Sequence, residues 1–180
     1  MAFKTLAAPA LALLVSFGAL PSTTVAQPAP ARRAAPVLGL EGLGALRIGQ
    51  PPPRNGSWRS RGAQVPGGGC RTVTSPAYPG VYGLVEGGKV RRITVGKRST
   101  VKLAEGIGTG ATEKQVRGWF AGFRAEPHKY QAAPAKYLTA PNAFRPRGGS
   151  ALRFEIGSDR RVSQIHVGLM PQLAYVEGCS

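Results

Sequence analysis

Two β-rich runs joined by a short turn occur twice in this chain, and this recurrence constrains the fold more than any other feature of the sequence. In the first copy, Val81–Val85 and Val90–Val95 flank a Glu-Gly-Gly-Lys turn. In the second, Ala151–Ile156 and Val162–Val167 flank Gly-Ser-Asp-Arg-Arg. Both copies have the spacing and turn composition of β-hairpins. The chain therefore reads as two copies of one unit, and a chance likeness between two hairpins is the alternative.

The second unit contains the clearest helix signal. Thr112-Glu-Lys-Gln115 has the form of a capping box. Apolar residues follow it at the i, i+3, i+4 spacing of an amphipathic helix that packs on a sheet. These residues are Val116, Trp119 and Phe120. The matching place in the first unit holds prolines at 51–53, and because proline is poorly tolerated beyond a helix's first turn, that helix is lost, displaced or very short.

The predicted fold class is α+β, with two tandem small α/β units whose short helices pack on one face of an antiparallel sheet. The first unit spans residues 38–102, with a degenerate helix and a Pro-rich loop at 50–69. The second unit spans residues 103–180. Residues 27–37 contain three prolines and no hydrophobic periodicity, which predicts a disordered tail.

The N-terminus has the parts of an export signal. Lys4 supplies a positive charge, residues 6–20 form an apolar run, and small residues precede Gln27. We expect residues 1–26 to be a signal peptide cleaved after Ala26, which makes the product periplasmic or secreted, with no transmembrane segment in the mature chain. A membrane anchor is the alternative, but Pro21 ends the apolar run short of the roughly 20 residues that span a bilayer.

Cys70 and Cys179 are the only cysteines. An even number of cysteines in an exported chain predicts a disulfide, and two cysteines allow one intramolecular pairing. A metal or redox site is the weaker alternative, because neither cysteine has a partner at short spacing.

Short glycine-rich motifs carry a resemblance to known proteins. The pattern Gly-x-Leu-x-Ile-Gly, a capped short helix and a hairpin with Gly-Gly-x-Val-x-x-Ile resemble the repeat of SmpA/OmlA-type outer-membrane assembly lipoproteins and, in tandem, of β-lactamase inhibitory protein. Further motifs are similar to those of an uncharacterised family of small exported proteobacterial proteins: Pro79–Val81, Val85–Val90, Ala104–Ile107, Pro127–Tyr130 with Tyr137 and Leu138, and Val176–Cys179. The resemblance implies two α/β units side by side, with helices on one sheet face and the other face open.

Positive charge is the first candidate for function. Lys and Arg outnumber Asp and Glu by 24 to 8, a net charge of +16. An acid-free run in residues 89–102 predicts an anion-binding site: Lys89, Arg91, Arg92, Lys97, Arg98 and Lys102. The expected partner is an anionic envelope polymer such as lipopolysaccharide or acidic polysaccharide; a merely solvated basic surface is the alternative. Export and scattered aromatic residues argue against nucleic acid.

The predicted open face of the sheet is the second candidate. Strand alternation places the apolar residues of both hairpins on one side and polar residues on the other. The polar set is Arg92, Thr94, Arg153, Gln164 and His166. These side chains would contact an envelope or secreted protein, and an ordinary solvated face is the alternative.

Catalysis has the weakest support. His128 lies near Glu126 and Tyr130 in the sequence, but no Ser or Cys nucleophile is identifiable, and a turn histidine beside packed tyrosines explains the motif better. The sequence therefore favours a non-enzymatic binding module without cofactor or metal that contacts a protein through its sheet face. An electrostatic binder of envelope polyanions is the alternative, and a hydrolase using His128 or His166 ranks last.

Overall fold

The computed structural model describes residues 36–62, 69–146 and 149–179. The expected signal peptide with its cleavage after Ala26, and the predicted tail up to residue 35, lie outside the described residues. No helix in the described ranges is long and apolar enough to cross a membrane.

Eight strands form one antiparallel sheet, and two very short strands precede it in the chain. The short pair is β1 (Gly42–Leu43) and β2 (Leu46–Arg47). The large sheet consists of β3 (Arg59–Ser60), β4 (Cys70–Thr74), β5 (Val81–Glu86), β6 (Lys89–Val95), β7 (Arg124–Pro127), β8 (Lys136–Thr139), β9 (Ala151–Ile156) and β10 (Val162–Gly168).

The sheet has the strand order β3-β4-β5-β6-β10-β9-β8-β7, so three strands lie on each side of the central β6–β10 pair. The two predicted hairpins are confirmed as β5–β6 and β9–β10. They meet at the centre, where Thr94 pairs with His166 and Ile93 with Val167. A division of the chain at residue 102 stays a prediction.

One face of the sheet is the apolar core. The register aligns Val95, Ile165, Phe154 and Leu138 across four neighbouring strands, and all four are buried. The helix α1 (Glu113–Trp119) has the predicted capping box and buries Val116. The aromatic rings of Phe120 and Phe123 pack on Phe154, with centroids 5.4 and 5.9 Å from it.

The opposite end of the core is covered without a helix. Leu43 and Leu46 of the β1–β2 hairpin are fully buried, and Leu46 packs closely over Gly83. Trp58 adds to this cover and stacks on Tyr78 at 5.6 Å between ring centroids. Residues 51–53 have no regular structure, because consecutive prolines cannot continue a helix.

The predicted α+β class is therefore wrong: the described chain is mainly β, with one α-helix of seven residues. In the sequence, only the segment that begins at Thr112 combined a helix-capping signal with an amphipathic pattern, and this segment forms α1. The predicted apolar stripe of Val116, Trp119 and Phe120 is only partly correct. Trp119 is the last residue of the helix and is 65% exposed, and Phe120 lies one residue beyond the helix as its C-cap.

Candidate functional site

The face of the sheet opposite the core carries the predicted polar residues, and we call it the polar face. Cross-strand pairing places His166 between Thr94 and Arg153. Arg92 and Gln164 lie two residues from Thr94 and His166 along the same strands, so strand alternation puts them on the same side. The structure thus brings all five predicted side chains to one face.

The expectation that these side chains are open to solvent is wrong for four of the five. The exposed fractions are 2% for Arg92, 0% for Thr94, 6% for Arg153 and 6% for His166, whereas Gln164 is half-buried. Two segments outside the strands cover these side chains. Neither segment has a hydrophobic periodicity from which its position could be predicted. One is residues 128–135, between β7 and β8; the other is residues 169–179, which we call the C-terminal strap.

The C-terminal strap covers Arg92. The Arg92 Nη1 atom donates hydrogen bonds to the carbonyl oxygen of Gln172, at 3.1 Å, and to that of Tyr175. Its Nε atom has no hydrogen-bond partner among the described residues. The strap ends at Cys179, which forms a disulfide with Cys70 of β4. The predicted disulfide is confirmed, and it fixes the strap over the sheet.

A buried polar cluster lies at the centre of the polar face. His166 Nδ1 is 2.9 Å from the Thr94 hydroxyl oxygen, and His166 Nε2 is 3.8 Å from Glu155 Oε2. His128 Nε2 is 3.0 Å from Glu155 Oε1. Because His128 Nδ1 accepts backbone N–H bonds from Tyr130 and Gln131, its Nε2 atom is the donor to Glu155.

The environment sets the charge of this cluster. Burial alone would raise the pKa of Glu155, but its contacts with His166 and His128 outweigh burial and hold that pKa at about 2. For His166, burial lowers the pKa to about 4, against the opposing effect of Glu155 and with help from Arg92. Near neutral pH the centre of the face therefore carries an ionised Glu155 beside an uncharged His166.

Glu126 and Tyr137 extend the cluster toward β7. Arg153 forms an ion pair with Glu126 at 3.2 Å and lies 4.1 Å above the ring centroid of Tyr137. His128 stacks on the same ring at 4.8 Å. These contacts satisfy the buried charges by packing and hydrogen bonding, which is how proteins accommodate ionic groups away from water.

The six predicted anion-binding residues do not form one site. Lys89 and Arg91 lie at one end of β6, Lys97 and Arg98 lie just beyond the other end, roughly 20 Å away along the strand, and Arg92 is buried between them. Lys102 is exposed in a separate segment that pairs with Val37. The acid-free run is continuous in sequence but divided in space.

Lys97 and Arg98 border an open cleft at the edge of the polar face. Three cationic residues line it, Arg61, Lys97 and Arg98, with Thr74 and Tyr82. We call it the basic cleft; its volume is about 650 Å³, and among the described residues no Asp or Glu lines it. Lys97 and Arg98 are both exposed, as a contact with a ligand requires.

Tight backbone packing builds one wall of the basic cleft. The turn from Gly96 to Ser99 is closed by a hydrogen bond from the Ser99 N–H to the Gly96 carbonyl. Gly80 packs against this turn with φ of +75°, and a Cβ atom there would lie 2.7 Å from the Ser99 nitrogen. A glycine is therefore required, and the wall is formed before any ligand arrives.

Two residues of the basic cleft were missed in the sequence. Arg61 follows the two-residue strand β3, within the segment 50–69 that was predicted only as a loop. Tyr82 could have been found, since alternation in β5 places it opposite the buried Val81. Its hydroxyl donates to Gln164 Oε1 at 3.0 Å, which links the cleft to the rest of the polar face.

Among the described residues no group of three or more His, Cys, Asp or Glu side chains could hold a metal ion. Comparisons with protein families, with curated proteins and with solved structures find no match for this chain. The resemblance to SmpA/OmlA-type repeats accordingly stays a prediction.

Proposed function

We propose that this chain is an exported, non-enzymatic binding protein that holds an anionic polymer of the cell envelope in the basic cleft. The observation that carries the proposal is the lining of that cleft, where Arg61, Lys97 and Arg98 converge without a carboxylate among the described residues. Cations around a concave surface attract anions more strongly than the same charges spread over a convex one.

The distribution of the acidic residues supports the proposal. Glu113 pairs with Arg117 and Lys136, and Glu126 pairs with Arg153. None of the ion pairs in the described ranges involves Lys97 or Arg98. The net charge is +16, the carboxylates of Glu113 and Glu126 are paired with other cations, and among the described residues no carboxylate lines the basic cleft.

Paired double variants test the proposal. Lys97→Ala/Arg98→Ala removes two charges from the basic cleft, and Lys89→Ala/Arg91→Ala removes two charges from the other end of the same strand. With immobilised dextran sulfate as the probe at fixed salt, we expect about a tenfold loss of affinity for the first and less than a twofold loss for the second. Equal losses would mean that only net charge matters, and the cleft would be excluded as the site.

Contact with an envelope or secreted protein through the polar face stays a second proposal. The observation in its favour is the half-buried pair Tyr82 and Gln164, which remains accessible where the four other predicted residues are covered. Recovery of a partner from envelope extracts should fall for Gln164→Ala; equal recovery by wild type and variant would exclude this part of the face.

A further inference from the structure

We propose that the ligand is an anionic polysaccharide, bound as one extended chain through two adjoining clefts. This inference rests on the proposed function and adds the chemical class of the polymer and its path. It depends on a second cleft that shares a residue with the first, and on the kinds of side chain that line both.

The second cleft adjoins the basic cleft at Lys97. It has a volume of about 420 Å³, and Lys97, Thr109, Gln131 and Arg161 contribute to its lining. Lys97 lines both clefts, so a ligand that passes from one cleft to the other would pass this residue. A polymer that occupies both clefts gains contacts that a fragment confined to one cleft lacks, as expected for multivalent binding.

In the lining of the two clefts, uncharged side chains that can form hydrogen bonds outnumber the cationic ones. The four cationic residues are Arg61, Lys97, Arg98 and Arg161. The hydroxyl and amide side chains include Thr74, Tyr78, Tyr82, Thr109, Gln131 and Ser158. Such a lining matches a polymer that presents many hydroxyl groups and a charge only at intervals, which is the chemistry of an acidic polysaccharide.

Asp159 argues against a densely charged polymer. It lines the second cleft together with Arg161, so a carboxylate lies on the path of the ligand. A polymer without hydroxyl groups, such as polyphosphate, can present only anionic oxygens to this carboxylate, at a cost. A polysaccharide can place a sugar hydroxyl there, which donates a hydrogen bond to the carboxylate.

Calorimetric titrations of the intact protein with defined polymers test the inference. The probes are a galacturonate trimer, a galacturonate polymer of about 20 units, inorganic polyphosphate of similar length and neutral dextran, all at the same ionic strength. We expect the long polyuronate to bind at least about tenfold more tightly than the trimer, because only the long chain spans both clefts. We expect weaker binding of polyphosphate and no binding of dextran.

Single variants define the path. Lys97→Ala should reduce the advantage of the long polyuronate over the trimer to about threefold or less, whereas Lys89→Ala, the matched control outside both clefts, should leave it unchanged. Equal or tighter binding of polyphosphate, or no dependence on polyuronate length, would overturn the inference and leave the proposed function standing. Failure of every anionic probe to bind would overturn both.

Discussion

At the scale of the residue, His166 has the most unusual surroundings. It is fully enclosed between Thr94, Glu155 and the guanidinium groups of Arg92 and Arg153, and burial lowers its pKa to about 4. A protonated imidazole at this place would add a third cation beside Arg92 and Arg153, and among the described residues Glu155 is the carboxylate close to the His166 ring. Because the His166 imidazole is neutral, this part of the polar face can be buried without a further unpaired charge.

This pKa makes stability depend on pH. The unfolded chain, in which the histidine pKa is 6.5, takes up the proton more readily than the folded chain, in which it is about 4. The contribution of neutral His166 to the free energy of unfolding is therefore fully present above pH 6.5. It is lost as the pH drops toward 4, by at most about 3 kcal/mol. Urea denaturation between pH 7 and 4.5 should show this loss in the wild type and a shallower slope in His166→Gln.

Glu155 contributes in a lower pH range. Its pKa is about 2 in the folded chain against an ordinary value of 4.5, so its contribution is present above pH 4.5 and is lost as the pH falls toward 2. The range from 6.5 to 4.5 consequently reports on histidine. An unchanged slope in His166→Gln over that range would contradict the account of this residue.

At the scale of the element, a strand or helix could be predicted only where its signal lies within a short stretch of sequence. The β5–β6 and β9–β10 hairpins and the cap of α1 were predictable because alternation, turn residues and the Thr112–Gln115 box are adjacent in sequence. The two-residue strand β3 and four-residue strand β7 are too short to show alternation and depend on the sheet they join.

The packing of the basic cleft's wall belongs to the scale of the element, and a substitution that adds one methyl group tests it. Gly80→Ala combines a positive φ with a contact of 2.7 Å to the Ser99 nitrogen. We expect it to lower the free energy of unfolding by about 1–3 kcal/mol and to weaken binding of dextran sulfate. Denaturation curves and the same binding assay measure both effects.

Gly118→Ala is the matched control. Gly118 lies in α1, where an added Cβ meets open space, so the substitution should stabilise the protein by about 0.5–1 kcal/mol and leave binding unchanged. If Gly80→Ala behaved in the same way, the wall could not be as tightly packed as described.

At the scale of the whole molecule, the C-terminal strap and the loop after β7 determine what the sheet presents. Alternation correctly placed Arg92, Arg153 and His166 on one face, but it carries no information about irregular segments that return over that face. Lys129 and Glu177 link the two covering segments at 3.8 Å. The open part of the candidate site is therefore at the edge of the sheet, where no periodic pattern identifies it.

The Cys70–Cys179 disulfide closes most of the described chain into a loop, with a sequence separation of 109 residues. In the chain-entropy view, removing it with Cys70→Ser/Cys179→Ser should lower the free energy of unfolding by about 4–5 kcal/mol. Guanidinium denaturation of the wild type with and without reductant, compared with the variant, measures this. A loss below about 1 kcal/mol would show that the strap is held by its non-covalent contacts alone.

Binding of an anionic polymer in the basic cleft is the central claim, and backbone amide mapping by nuclear magnetic resonance tests it most directly. During titration with dextran sulfate, we expect the shifted amide signals to concentrate at Arg61, in residues 74–82 and in the 96–99 turn. The signals of the 86–91 hairpin turn, which contains the cations Lys89 and Arg91, should stay in place. Shifts centred on residues 86–91, or spread evenly over all exposed basic residues, would contradict the account.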